Sequence, residues 1–247
     1  MGIGIDLLVV LVAAFWGAAA GGLLPRAAYR FSAPSGEAWR QRCPREHPVR
    51  GWLGRARCGQ CDAGQASYGA RTASLAVATA LVCAALAAAT GTRPELAVWL
   101  LLAPVGVLLA VVDLKVRRLP DPLTLPLAAA ALVLLGLTAL VPEHAGEWTT
   151  ALLGALALGA GYLVLFLINP AGMGFGDVKL ALTAGAVLGW YGWPTLMLGT
   201  FAGFLLGAFY GGALLVARKA GRKTAIPFGP FLIAGAFLGL LVGAYAA

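Results

Sequence analysis

Charge is what this chain has least of. Among its 247 residues only 11% are Asp, Glu, Lys or Arg, the acidic residues number ten, and histidine occurs only at positions 47 and 144. No Ser-His-Asp arrangement, no His-Glu-x-x-His helix and no phosphate-cradling loop leading into Lys and a hydroxyl is present, which removes those three hydrolytic chemistries as first readings. Polar stretches are scarce too, since 25–72 is the largest one. What remains is 60% hydrophobic, with a mean hydropathy of +0.86. A water-soluble domain of this length does not carry so much apolar surface, so the chain is read as a membrane protein.

Apolar runs of about 20 residues, bounded by Pro, Gly or charge, mark helices that cross a hydrocarbon core of ~30 Å. Eight such segments are expected, at roughly 5–24, 73–90, 95–112, 122–141, 149–168, 177–190, 194–217 and 228–246, the sixth being short. The expected fold is an all-α polytopic bundle of about eight transmembrane helices. Its 34 glycines and Ala-rich runs suit close helix approach, because lipid gives helices no hydrophobic reason to associate. The first run follows Asp6 and lacks a basic n-region, so it reads as a retained span rather than a cleaved signal. Three parts follow: a first span over 1–24, an irregular Cys-containing loop over 25–72, and a seven-helix membrane core over 73–247.

Basic residues set the orientation. Nine arginines lie in 25–72, Lys115, Arg117 and Arg118 follow the third span, Arg218, Lys219, Arg222 and Lys223 follow the seventh, and Lys179 stands beside the fifth loop. Only Arg93 falls opposite. By the positive-inside rule the crowded side is cytoplasmic and both termini face outward. The formal charge of +8 therefore has a topological origin, and nucleic acid is not an expected partner. Trp99, Trp148, Trp190 and Trp193 are expected near the outer boundary as an interfacial belt.

Two of the ten acids stand at cytoplasmic ends of spans: Asp113 closes the third and Asp177 opens the sixth. An ionisable group at that depth is costly and marks a functional site. Two carboxylates sharing one site hold a proton between them, so one can take a proton from water while the other donates to a scissile amide. Which aspartate takes which part is left open. Three glycines, Gly172, Gly174 and Gly176, lead into Asp177 after Pro170, and are expected to permit positive φ and close backbone approach.

The run Gly174-Phe175-Gly176-Asp177-Val178-Lys179 resembles the GxGD motif of the type IV prepilin peptidases. Agreement extends to Asp113 with Leu119-Pro120-Asp121 and the Leu-Thr-Leu-Pro ending at Pro126, to Ile226-Pro227-Phe228-Gly229-Pro230, and weakly to Gly21-Gly22-Leu23 through Tyr29-Arg30. The resemblance implies an aspartic endopeptidase of the bacterial plasma membrane that cuts leaders from prepilins or pseudopilins at the cytoplasmic face. It implies Asp113 and Asp177 as catalytic residues, with Gly174, Gly176 and Lys179 in support, and no cofactor for proteolysis. Oligomeric state is not fixed by the sequence.

Cys58-Gly-Gln-Cys61 is a metal-type or redox-type pair, and Cys43 precedes it with Glu46 and His47 close behind. Members of the resembled family often carry two such pairs that bind zinc; here Glu46 stands where the second cysteine of the first pair would be. Cys43, Cys58 and Cys61 with either His47 or Glu46 would complete a zinc set, against the alternative of reduced thiols in a loop. The same resemblance implies a second activity, N-methylation of the new amino terminus with S-adenosylmethionine. Cys83 is expected in the core and His144 at the surface. The rival class is a transporter or channel using the two aspartates as a proton or cation path.

Overall fold

The computed structural model describes residues 2–62, 66–170, 172–217 and 227–247. Eight α-helices make up the order: α1 (Gly2–Phe31), α2 (Thr72–Thr90), α3 (Glu95–Val116), α4 (Asp121–Thr138), α5 (Trp148–Ile168), α6 (Phe175–Gly189), α7 (Trp193–Val216) and α8 (Gly229–Ala246). Among the described residues seven of them, all but α6, are long and apolar enough to cross a membrane. The architecture is a polytopic helical bundle, and the outward faces carry large apolar side chains such as Phe15, Phe201 and Phe209, which suits lipid. Arg218, Lys219, Arg222, Lys223 and Ile226 of the sequence argument lie outside the described residues.

Contacts divide the chain into two compact units. The first comprises residues 1–92 and 99–118, so α2 and most of α3 group with α1 and the polar loop. Here α1 packs on α2 through Gly17 and Gly21: a Cβ on Gly21 would stand 2.5 Å from the Leu75 carbonyl oxygen, and one on Gly17 2.6 Å from that of Thr79. Trp16 of α1 donates its indole N–H to the Leu100 carbonyl of α3 at 2.8 Å.

The expected end of the first span near residue 24 falls inside α1, which continues through Pro25 to Phe31. The extension is anchored by its own arginines. Arg26 donates to the Arg50 carbonyl at 2.9 Å and Arg30 to that of Gly51 at 2.7 Å, while Tyr29 donates to Arg42 O at 2.8 Å. The loop beyond has only two isolated β-bridges, Arg42 to Pro48 and Arg57 to Ser67. Its order comes instead from cations on rings: Arg30 over Trp52 at 3.9 Å, Arg40 over Tyr29 at 5.1 Å and Arg118 over Trp39 at 4.2 Å.

The second unit comprises residues 93–98 and 119–247 and is built around α6. That helix packs against α4, α5, α7 and α8 and buries Asp177, Val178, Leu180, Ala181 and all of 183–189. Its 15 residues span about 22 Å, short of a ~30 Å hydrocarbon core. Being enclosed by protein, it has no lipid to match, which is why the sixth segment is the one that misses the expected length. The α5 and α6 backbones touch at Gly154, Gly185 and Gly189, and α7 meets α8 at Gly199, Gly203, Gly235 and Gly239.

Of the four tryptophans expected in a belt, Trp148 and Trp193 are exposed, but Trp99 and Trp190 are buried, at 2% and 1%, and face protein instead. Trp190 lies under the connection between α4 and α5: its carbonyl accepts the Glu147 N–H at 2.9 Å, and the His144 ring sits 5.7 Å from its own. His144 is thereby half-buried, with its Nδ1 2.9 Å from the Gly146 carbonyl. In the same region Glu95 is fully buried, 3.9 Å from Arg93 and accepting from the Tyr191 hydroxyl at 3.3 Å. The one basic residue on that side is committed to this cluster.

Candidate functional site

Asp177 occupies the third position of α6. Gly174 caps the helix in an extended conformation, and Asp177 reaches back so that its Oδ2 accepts the Gly174 N–H at 3.1 Å, while its own N–H donates to the Gly174 carbonyl at 3.0 Å. This reciprocal box starts the helix at Phe175, two residues before the expected opening. One carboxylate oxygen is fixed by a backbone donor, and the residue is 6% exposed. A carboxylate in the first turn also gains from the helix dipole.

Of the two expectations for the glycines before it, positive φ is not met and close approach is. None of Gly172, Gly174 and Gly176 has positive φ. Close approach is the reason for two: a Cβ on Gly176 would lie 2.8 Å from Leu119 Cβ, and one on Gly172 2.5 Å from the Asn169 amide. At Gly174 a Cβ would meet Asp177 Oδ2 at an ordinary 3.5 Å.

Lys179 is held by Asp121, the first residue of α4, with Nζ 2.6 Å from Oδ1 and 4.9 Å over the Phe175 ring. Together with Leu119 on Gly176, this pair fastens the Leu119-Pro120-Asp121 stretch to the turn that carries Asp177. From the sequence Lys179 has a supporting role, whereas its partner Asp121 stands only within the Leu119-Pro120-Asp121 stretch, with no role of its own. The spacing gives no hint of the pairing, because it is made across two helices.

Asp113, in the first unit, is 4% exposed in the last turn of α3. The helix runs on to Val116 and stops at Arg117, whose φ of +52 lets its N–H return to the Asp113 carbonyl at 2.8 Å. Arg118 then anchors on the loop, donating to Pro34 O at 2.9 Å.

Cys43, His47, Cys58 and Cys61 converge in the same unit, with one ligand atom from each lying within 4.8 Å of all the others. His47 Nδ1 is 3.3 Å from the Cys61 sulfur and 3.7 Å from those of Cys43 and Cys58, and the Cys43 and Cys61 sulfurs are 3.8 Å apart. A tetrahedral zinc with bonds of about 2.3 Å to S and about 2.0 Å to N requires edges of roughly 3.5–3.8 Å, so the donor set fits such an ion. Glu46 is not the fourth member. Its φ is +61, and its carboxylate turns outward to Arg42 at 3.6 Å. Burial pushes the Cys61 thiol up to about 12, with the Cys58 and Cys43 sulfurs adding to the effect, whereas the Gln60 backbone N–H lowers Cys58. A divalent cation would relieve that crowding by stabilising all three thiolates.

Fold and residues thus define a multi-helix membrane protein with two buried aspartates at helix ends and a separate four-ligand cluster in its polar loop. A type IV leader peptidase family model matches residues 98–212, a stretch that includes both aspartates. A prepilin leader peptidase/N-methyltransferase of Aeromonas hydrophila is 37% identical over 205 residues, covering 79% of this chain and 66% of the relative. Proteins of the same name from Aeromonas salmonicida and Pseudomonas aeruginosa are 36% and 34% identical, each across 81% of this chain and 70% and 71% of their own lengths. No solved structure matches significantly. The chain belongs to the type IV leader peptidase family, and it spans about two thirds to seven tenths of the length of these relatives.

Proposed function

We propose that this protein is a membrane aspartic endopeptidase that removes the leader from prepilin-like or pseudopilin substrates, with Asp113 and Asp177 as its working carboxylates. The observation that carries the reading is the burial of these two acids, 4% and 6% exposed, within otherwise apolar helices. The proposal requires the two carboxyl groups to act on one substrate bond, and two such groups in one site would hold a single proton, because burial disfavours a second negative charge. The ionised member accepts a proton from water as the water oxygen attacks the scissile carbonyl carbon. The protonated member then gives its proton to the leaving nitrogen as the C–N bond breaks. The distribution of Lys and Arg supports a cytoplasmic location for this chemistry. The transporter reading finds no support among the relatives, which are leader peptidases.

The test is co-expression with a prepilin-type substrate carrying a basic leader, followed by mass measurement of its new amino terminus. An intact leader would overturn the proposal. The relatives' names include N-methyltransferase, and the same spectrum reads whether this chain adds a methyl group.

The cluster of Cys43, His47, Cys58 and Cys61 supports a structural zinc, because four protein ligands close the coordination sphere and leave no open position for chemistry. Purified protein is expected to carry about one zinc per chain, lost in Cys58→Ser, Cys61→Ser and His47→Ala but kept in Glu46→Ala. Metal analysis showing retention in His47→Ala and loss in Glu46→Ala would reverse the choice of fourth ligand.

A further inference from the structure

Beyond the two aspartates, a buried phenol remains without a task. Tyr162 of α5 is 1% exposed, and its hydroxyl has no hydrogen-bond partner among the described residues. A phenol deep in a bundle normally finds an acceptor or a donor, since burying it unpaired is costly. Apolar packing does not need the oxygen. The Tyr162 ring already stacks on Phe204 at 5.8 Å and meets Phe228 at 5.9 Å, contacts a phenylalanine would keep.

The register of α5 against α6 shows where this hydroxyl belongs. Gly189 faces Thr150, Gly185 faces Gly154, Leu182 faces Gly159, and the Phe175 ring meets that of Phe166 at 5.4 Å. Continuing that antiparallel register sets Tyr162 opposite residues 178 and 179, at the level of the first turns of α6. Asp177 is in that turn. One oxygen of Asp177 is already occupied by the Gly174 N–H.

We propose that Tyr162 is a water-positioning residue: its hydroxyl and the Asp177 carboxylate together hold the water that attacks the scissile peptide bond. The inference rests on the aspartic-peptidase reading given above. A buried water typically makes about three hydrogen bonds, so two fixed partners and the substrate carbonyl would complete its shell. In the step itself the water oxygen bonds to the carbonyl carbon and one water proton passes to a carboxylate. The Tyr162 proton stays on the phenol throughout. Its contribution is orientation, which is worth little to substrate affinity and much to the chemical step.

The decisive comparison is Tyr162→Phe against Thr183→Val, each assayed for leader cleavage and for thermal unfolding in the same detergent. Thr183 of α6 supplies the control, since it also buries a hydroxyl with no hydrogen-bond partner among the described residues. Tyr162→Phe is expected to lower kcat roughly 10- to 100-fold with KM little changed and with Tm equal to or above the parent's. Thr183→Val is expected to keep full kcat. Full activity in Tyr162→Phe, a loss confined to KM, a fall in Tm alongside activity, or equal losses in both variants would each overturn the proposal. Asp177→Asn, run in parallel, separates the two readings. If it still cleaves, the aspartic mechanism fails; if it is inactive while Tyr162→Phe is unimpaired, only the role of Tyr162 does.

Discussion

Asp113→Asn and Asp177→Asn are each expected to abolish leader removal, with rates down at least ~1000-fold, while the protein still accumulates in the membrane. The asparagine keeps the shape and loses the proton chemistry. For Asp177 the Gly174 N–H would still find an amide oxygen at the same position, so the start of α6 survives. At Asp113 the helix stop depends on its backbone carbonyl and on the φ of Arg117, neither of which the substitution touches. Folding and catalysis therefore separate, and immunoblots of membrane fractions beside substrate cleavage measure both. Cleavage by either variant at more than a tenth of the parent rate would refute the assignment of that residue.

A change with no titratable group involved is expected to be as damaging by another route. Gly154→Leu should prevent accumulation of folded protein, costing about 3 kcal/mol or more. A Cβ at this position would stand 2.5 Å from the Gly185 carbonyl oxygen, 2.8 Å from Leu196 Cδ1 and 3.1 Å from the Gly189 Cα. Two of those three obstacles are backbone, which cannot swing aside as a side chain can, so α5 must move off α6. Gly161→Ala on the same helix has nothing within 4 Å of its new methyl group and is expected to be neutral or to stabilise by up to ~1 kcal/mol. Thermal unfolding in detergent, read by size-exclusion after heating, discriminates the two; equal behaviour would show that the α5–α6 seam is not tightly packed.

Much of this could be seen in the residue order because bilayers impose a blunt rule on length and polarity. All eight helices follow from that rule as apolar runs, the sixth of them short, and the spacing of Cys43, Cys58 and Cys61 points to the cluster with His47 or Glu46 as its fourth member. The misses share a cause. Pro25 looks like a stop, yet a proline only withholds one donor, and the arginines at 26 and 30 bind loop carbonyls strongly enough to carry α1 on to Phe31. His47 and Glu46 are adjacent and both plausible as ligands until the backbone at Glu46 turns its side chain toward Arg42. Trp99 and Trp190 stand near the ends of their helices but face protein, and a hydropathy pattern does not report which way a side chain faces. Tyr162 and Asp121 matter through the register of neighbouring helices, which no spacing along one chain contains.

The brevity of α6 has a consequence for where a peptide bond can be cut. Its Trp190 end is roofed by polypeptide, with Glu147 and His144 laid over it, so the shortfall against bilayer thickness is not made up by lipid there. The opposite end is the turn that bears Asp177. A hollow reaching below the headgroups at that turn would let water descend to the carboxylate, and a client protein could be severed while its greasy helix stays immersed, with no need to be hauled out to the surface.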